Sequence, residues 1–505
     1  MKKIFLYAAI LVSAGVFAVL MVMRTGGPGP GLEAGALSTV AAPGRTMVFQ
    51  GGLPPEGGPK ESDAWLSVLQ DDRRIGWAHR KLSWAGSLWQ MEEVAFLRVK
   101  TMGTAQEVLV TTSAELAPDL TLRSFAFTLG SDLANFSVKG EMGDGKLALT
   151  TGNGPEAVQS EIAFSEPLYL GGSLLYASEV ARLAPGEKRS FPLFDPATLG
   201  TSPATVEVVG IETLVVMGEE RTARRVKLDF MGSSQLAWIG EDGDILAEEG
   251  LLGLRLTRTD RDTALALAEG EAGTDLVEMA SVPLDRPIQE PGALASLSLK
   301  VEGADDHFDG LSGGRQTWDG EVLTVTRETL PPADYALETD PAFGDEQREF
   351  LAPGPFIRSD HPEVEALAEE IVSPDDPPLA QAKKIVDWAY KNLEKKPVFS
   401  VPDALGTLRS RAGDCNEHAV LVAALARAAG VPARMEVGLT YLRGRFYYHA
   451  WNAFWLGEWV TADSVFGQFP ADVTHLRFAR GNPDAQLRIM GLLGRVKLSW
   501  PEPAE

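Results

Sequence analysis

From Trp65 to about Thr259 the chain carries apolar runs at spacings near ten residues, separated by Gly, Asp or Pro. Runs this short, alternating in polarity and closed by turn residues, form strands rather than helices, which need longer stretches at a 3.6-residue period. "AWLSVLQDDRRIGWAHRKL" gives two runs around an Asp-Asp-Arg-Arg turn, and "VLVTTSAEL", "LTLRSFAFTL", "NFSVKGEM" and "KLALTT" follow. "ATVEVVGIETL", "RRVKLDFM" and "LAWIGEDGDILAEEG" repeat the pattern, the last with Asp242-Gly243 where a hairpin turn requires it. The expectation is one large antiparallel sheet of about ten strands over residues 61–260, curved or partly closed. His79 lies in it alone and is read as a surface or packing residue.

A chain of 505 residues exceeds a single core and calls for about three or four domains. Before the sheet, Lys2 and Lys3 precede an uncharged apolar run, Ile4 to Met23, long enough as a helix to cross a bilayer. A secretory signal competes, with Val16-Phe17-Ala18 as a cleavage site, but cleavage there would leave apolar Val19 to Met23 behind. Residues 1–25 are therefore read as a membrane anchor, or else a signal, and 26–60 as a Gly/Pro-rich linker. The positive pair at the front directs the body outward, which in a bacterial chain is the periplasmic side of the inner membrane. After the sheet come a linker at 261–292, a small β-rich module at 293–354 and an α+β domain at 355–495. In that last region Asp360 is a candidate N-cap with Pro362 in the first turn. With 70 acidic against 46 basic residues the net charge is −24, which excludes nucleic acid as an expected partner. The sequence carries no signal of oligomeric state.

Cys415 is the single cysteine, so an intrachain disulfide and a cysteine-rich zinc site are both excluded. It opens the apolar stretch "CNEHAVLVAALARAAG", after Asp414 as a cap, with Glu417 three residues beyond the cap and Gly430 and Pro432 at the end. A thiol at a helix start meets unpaired N–H groups and the positive dipole end, which favour the thiolate. The same N–H groups suit an oxyanion at an attacked carbonyl. An imidazole partner could be His418, three residues on, or His449. "RFYYHAWNAFWLGEWVTADSVFG" reads as a hairpin of strands 445–455 and 459–465. With a three-residue turn Trp455 opposes Trp459 and Trp451 opposes Asp463, which puts Asp463 diagonal to His449 on one face. Asp463 could then orient His449 and fix its tautomer, leaving His418 a packing role. The six histidines are scattered without His-x-x-x-His spacing, so neither a metal nor a cofactor is expected.

"RAGDCNEHAVLVAALARAAGVPARMEVGL" followed by "FYYHAWNAFWLGEWVTADSVFGQFPADVTHLRFARG" resembles the core of the transglutaminase-like superfamily, bacterial branch, across roughly 355–490. The resemblance implies a papain-like α+β fold with Cys415 as nucleophile, His449 as general base and acid, and Asp463 as orienter. With the tether read from residues 1–25, the expectation is a membrane-tethered enzyme that forms an acyl-enzyme from an amide of a peptide or protein substrate in the envelope. Water then makes it a peptidase or amidase, and a lysine-type amine makes it a transglutaminase. Two positions depart from the family pattern: Ala453 stands where many members carry a carboxylate, and Ser464 where many carry proline. No EF-hand-like loop suggests calcium control. The competing expectation is a non-catalytic envelope binding or assembly protein that keeps the fold.

Overall fold

The computed structural model describes residues 58–501, apart from 102–103, 132–134, 153–156, 231–232, 251–252, 267–272, 305–309, 396–401, 482–488, 490–491 and 493–494. The expected anchor at 1–25 and nearly all of the linker at 26–60 lie outside the described residues. Among the described residues no helix is long and apolar enough to cross a membrane.

Residues from Ser62 to Thr259 build one fifteen-stranded sheet. Its first strand, Ser62–Gln70, sits mid-sheet. On one side the strands follow in chain order out to Val158–Ala163; on the other, Leu254–Thr259 pairs with the first strand and the order runs backward to Lys188–Asp195. All these pairings are antiparallel until the two-residue strand Tyr169–Leu170 adds in parallel at the far edge. The sheet curves enough for Phe125 and Phe194, on strands far apart in this order, to pack with ring centroids 5.2 Å apart.

Five strands go beyond the ten expected: Trp89–Thr101, Val158–Ala163, Tyr169–Leu170, Lys188–Asp195 and Leu254–Thr259. The first hid because its inward positions include Glu93, a charge where the alternation calls for an apolar residue. Its partners explain it: Arg80 forms an ion pair through Nε with Glu93 (3.0 Å) and donates through Nη1 to Glu248 (2.6 Å), all three side chains buried. Lys188–Asp195 hid behind Pro192, tolerated here opposite Pro203 of the next strand. His79 stacks on Trp65 (4.3 Å) and meets Asp63 (2.8 Å), a packing position.

The hairpin of Gly200–Val216 and Glu219–Phe230 outruns both its neighbours, whose pairing ends at Glu207 on one side and Ala223 on the other. Val209, Ile211, Val215 and Met217 are its exposed large apolar side chains, at 38, 60, 70 and 61%. The register puts its tip at the end of the sheet where Ser62 enters, beside the turn whose Asp244 accepts from Ser62 Oγ (2.7 Å).

Residues 261–292 do more than connect. They form the helices Arg261–Leu265 and Leu276–Ala280 and the strand Val282–Pro283, which pairs with Arg445 and Phe446 at the edge of the C-terminal sheet. Ser296–Glu302, Gln316–Trp318 and Val322–Thr326 make a second small sheet, completed by Lys497–Ser499 from the far end of the chain. The C-terminal α+β unit has helices Pro362–Ile371, Pro378–Asn392, Ala404–Ser410 and Cys415–Ala428 against the strands Ala433–Leu442, Arg445–Trp455, Trp459–Ala462 and Leu476–Gly481. The first of these helices is capped by His361, whose Nδ1 accepts from the Glu363 amide (3.2 Å), one residue later than the Asp360 expected. Asp360 would put Pro362 second in the helix; the His361 cap puts it first, where a missing N–H costs nothing.

Candidate active site

Helix Cys415–Ala428 starts where the sequence places it. Asp414 accepts from the Asn416 amide (2.6 Å), and Glu417 reaches back to the Asp414 amide (3.0 Å), a closed capping box. Every residue from Cys415 to Arg427 is buried, so this helix is the core of its domain. Asn452 Nδ2 donates to the Ala419 carbonyl (2.8 Å) and ties the helix to strand Arg445–Trp455. The backbone N–H of Ala450 favours the thiolate form of Cys415, which places the thiol near the backbone next to His449. The thiol is 1% exposed. Burial pushes it well above its ordinary range, and the Asp414 carboxylate pushes the same way. This reverses the expectation of a thiolate stabilised at the helix start. Desolvation of an anion and the cap's own carboxylate both disfavour the thiolate.

The hairpin has the expected register. Trp455 pairs with Trp459 and Asn452 with Ala462. The second strand stops at Ala462, short of the expected 465, because Asp463 leaves the ladder to bridge Gln468. His449 Nε2 lies 2.7 Å from Asp463 Oδ2, and Asp463 Oδ1 accepts from the amides of Val465 (2.7 Å) and Phe466 (3.1 Å). With Nε2–H given to Asp463, the lone pair of a neutral imidazole sits on Nδ1, which has no hydrogen-bond partner among the described residues. Burial holds His449 below its ordinary value despite the pull of Asp463, so the ring is neutral near pH 7. All three expected residues are buried, His449 is hydrogen-bonded to Asp463, and the Cys415 thiol lies near the backbone of Ala450.

His418 does not join them. Its Nδ1 faces Ser464 Oγ (3.3 Å), the residue that replaces the family's proline, and burial pushes the ring down to about 3. It packs as a neutral group.

His475 was missed. Its Nε2 lies 3.0 Å from Asp463 Oδ2, the same oxygen that holds His449, and its Nδ1 lies 3.3 Å from Asp472 Oδ1. Burial would lower its affinity for a proton, but Asp463 and Asp472 more than offset this and raise it to about 9. The available signal was the Asp-x-x-His spacing of "DVTH", inside the stretch that carries the family resemblance. The donor atoms of His449, Asp463 and His475 all lie within 4.8 Å of one another, a grouping that could offer a cation three ligands. Both short separations in it are those of hydrogen bonds, with the carboxylate between the rings. Gly438 permits this closeness. It pairs with His449 on one side, and on the other a Cβ would meet the Leu476 carbonyl at 1.9 Å.

The small β module reaches into the same region. Glu328 accepts from both the amide (3.0 Å) and the hydroxyl of Thr461, two residues before Asp463. Arg315 donates to the Ala471 carbonyl (2.5 Å) and pairs with Glu328 (3.4 Å). Removing Glu328 takes from the buried Arg315 its paired carboxylate. Glu328→Ala is therefore expected to cost about 3 kcal/mol, read as a lower urea midpoint for the C-terminal unit, while Glu328→Gln loses less because it still accepts from Thr461.

Residues 365–464 match the transglutaminase-like superfamily, and the C-terminal part of the chain is a transglutaminase-like domain. The chain is 28% identical over 228 residues to an uncharacterized protein of Haemophilus influenzae, a match covering 37% of this chain and 59% of that relative. Among solved structures, a candidate cysteine protease from Cytophaga hutchinsonii aligns over 41% of this chain and 84% of its own, at 16% identity and a TM-score of 0.29. A β-barrel-like protein of a domain family of unknown function from Brucella abortus aligns over 40% of this chain and 97% of its own, at 12% identity and a TM-score of 0.31.

Proposed function

We propose that the chain is a thiol hydrolase with a papain-like catalytic domain, acting on an amide bond of a peptide or protein in the bacterial envelope. The observation that carries this reading is the unpartnered Nδ1 of a neutral His449, whose other nitrogen is held by Asp463, on the residue before Ala450, whose amide favours the Cys415 thiolate. Nδ1 takes the thiol proton as sulfur attacks the carbonyl carbon. The tetrahedral intermediate then expels the amine, which leaves with that proton, and a thioester remains on Cys415. Water activated by the same nitrogen releases the acid and restores the thiol. An amine in place of water would give transfer instead. Because both partners start neutral, charge separation belongs to the attack and not to the resting state.

A tether through residues 1–25 fits this reading. Its support is the uncharged apolar run Ile4 to Met23 and the exposed apolar hairpin tip at the end of the sheet where the described chain enters.

The burial of Cys415 and its weakened acidity favour a second reading, a binding or assembly protein that keeps the fold without turnover. One experiment separates them. The full chain in detergent, wild type and Cys415→Ala, is incubated with envelope protein extract and a primary-amine probe, then analysed by mass spectrometry. New peptide termini lost in the variant are expected; amine incorporation lost in the variant would mean transfer. Neither change, together with a Cys415 that resists alkylation from pH 5 to 9, would establish the binding protein.

A further inference from the structure

His475 has no part in the chemistry just described, yet it is buried against the one oxygen that orients His449. Both its ring nitrogens face carboxylate oxygens, Asp463 Oδ2 at 3.0 Å and Asp472 Oδ1 at 3.3 Å. An acceptor opposite each nitrogen requires an N–H on each, and only the imidazolium has two. The Asp472 carboxylate is itself fixed, accepting from the Thr474 amide and hydroxyl (2.9 and 2.6 Å) and from Gln468 Nε2 (2.9 Å). We propose that His475 is a positioning residue which, as an imidazolium clamped between Asp463 and Asp472, keeps His449 in its neutral, proton-accepting form. The proposal rests on the thiol-enzyme reading for its purpose, although the charge arrangement can be tested without it.

A buried Asp463 facing His449 alone would favour the His449 imidazolium, and a protonated base cannot take the thiol proton. His475 shares that carboxylate and places a second positive charge with its ring centroid 5.8 Å from that of His449. Asp463 is then neutralised by His475 and still accepts from His449. The pKa directions agree: burial lowers His449 and the His475 charge lowers it further, whereas the two carboxylates hold His475 up at about 9. The other groups around His475 do not undo this. Trp451 and Phe466 present uncharged rings at 5.1 and 5.8 Å. Arg315 of the small module meets the His475 carbonyl (3.5 Å) and pairs with Glu328, while Arg477 on the adjoining strand pairs with Glu436.

The test is carbon-13 NMR of histidine-labelled full chain from pH 4 to 10, with His475 and His449 assigned by substitution, alongside the alkylation rate of the single cysteine. Expected in the wild type are an imidazolium signal from His475 through pH 8 and a neutral His449 at pH 7. His475→Gln keeps a donor without the charge and should raise the His449 midpoint by about one to two pH units, the size expected of a unit charge at this distance inside a protein. Asp472→Asn, which preserves an acceptor for Thr474, should shift it the same way at pH values where its weakened clamp lets His475 lose its proton. A purely structural role would lower the alkylation rate without moving that midpoint. A His475 that titrates near 6.5, or a folded His475→Gln with an unmoved His449, overturns the proposal. Alkylation indifferent to His449→Ala would instead sink the thiol-enzyme reading and leave the His475 result standing.

Discussion

On the thiol-hydrolase reading, Cys415→Ala is expected to lower amide-bond turnover by roughly 10⁴- to 10⁶-fold, the range seen when a nucleophile is taken from a working triad. Cys415→Ser does nearly the same, because a hydroxyl is a far weaker acid than the thiol it replaces and His449, neutral and buried, cannot make up the difference. Neither variant is expected to unfold the domain. The helix cap is made by Asp414 and Glu417, and the tie to the strand by Asn452, none of which needs the sulfur. The measurement is initial rate on the substrate found in the extract experiment, with circular dichroism of each variant. Residual activity near that of the wild type would remove Cys415 from the chemistry.

Glu436→Ala is expected to cost about 3–5 kcal/mol, the penalty for breaking a buried ionic network on one side. Glu436 accepts from Arg434 Nη2 (2.9 Å) and Arg477 Nη1 (3.0 Å), and its second oxygen accepts from Trp451 Nε1 (3.2 Å). The variant leaves two buried guanidinium groups with less compensation and frees the indole whose ring lies 6.1 Å from His449. Its carboxyl is held down at about 2: burial opposes this, and Arg477 and Arg434 prevail. A depressed carboxylate contributes its stability above the unfolded value of about 4.3 and loses it as the pH falls through the folded one. Wild-type stability should therefore drop between about pH 4.3 and 2, and the variant should lack that part of the slope. Urea denaturation at pH 7 and pH 3 reads both effects; equal losses at the two pH values would contradict the network.

The parts of this site legible in the sequence are those fixed by short-range rules. Asp414 and Glu417 cap a helix by their spacing alone, and the period of a strand with a three-residue turn set Asp463 beside His449. Other features depend on partners far along the chain. Glu328 reads as one more acidic residue until Thr461 folds onto it, 133 positions later. Glu93 is tolerated inside only because Arg80, on the neighbouring strand, pairs with it and with Glu248 from elsewhere in the sheet. His475 stood in plain view, but only the closeness that Gly438 allows to the strand it precedes brings it to Asp463. The acidity of Cys415 was misjudged for a related reason: a dipole can be inferred from helix position, whereas full burial of the helix start cannot.

Lys497–Ser499 completes the small sheet by pairing with Ser296–Glu302, almost two hundred positions earlier. During synthesis the residues of the thiol centre therefore leave the ribosome before the sheet carrying Arg315 and Glu328 can close. Long-range pairings of this kind form late. A nascent chain clipped just before residue 497 would hold Cys415, His449, Asp463 and His475 in full, yet lack the strand that finishes their support. The fold thus delays completion of the surroundings of Cys415 until Lys497–Ser499 has been made.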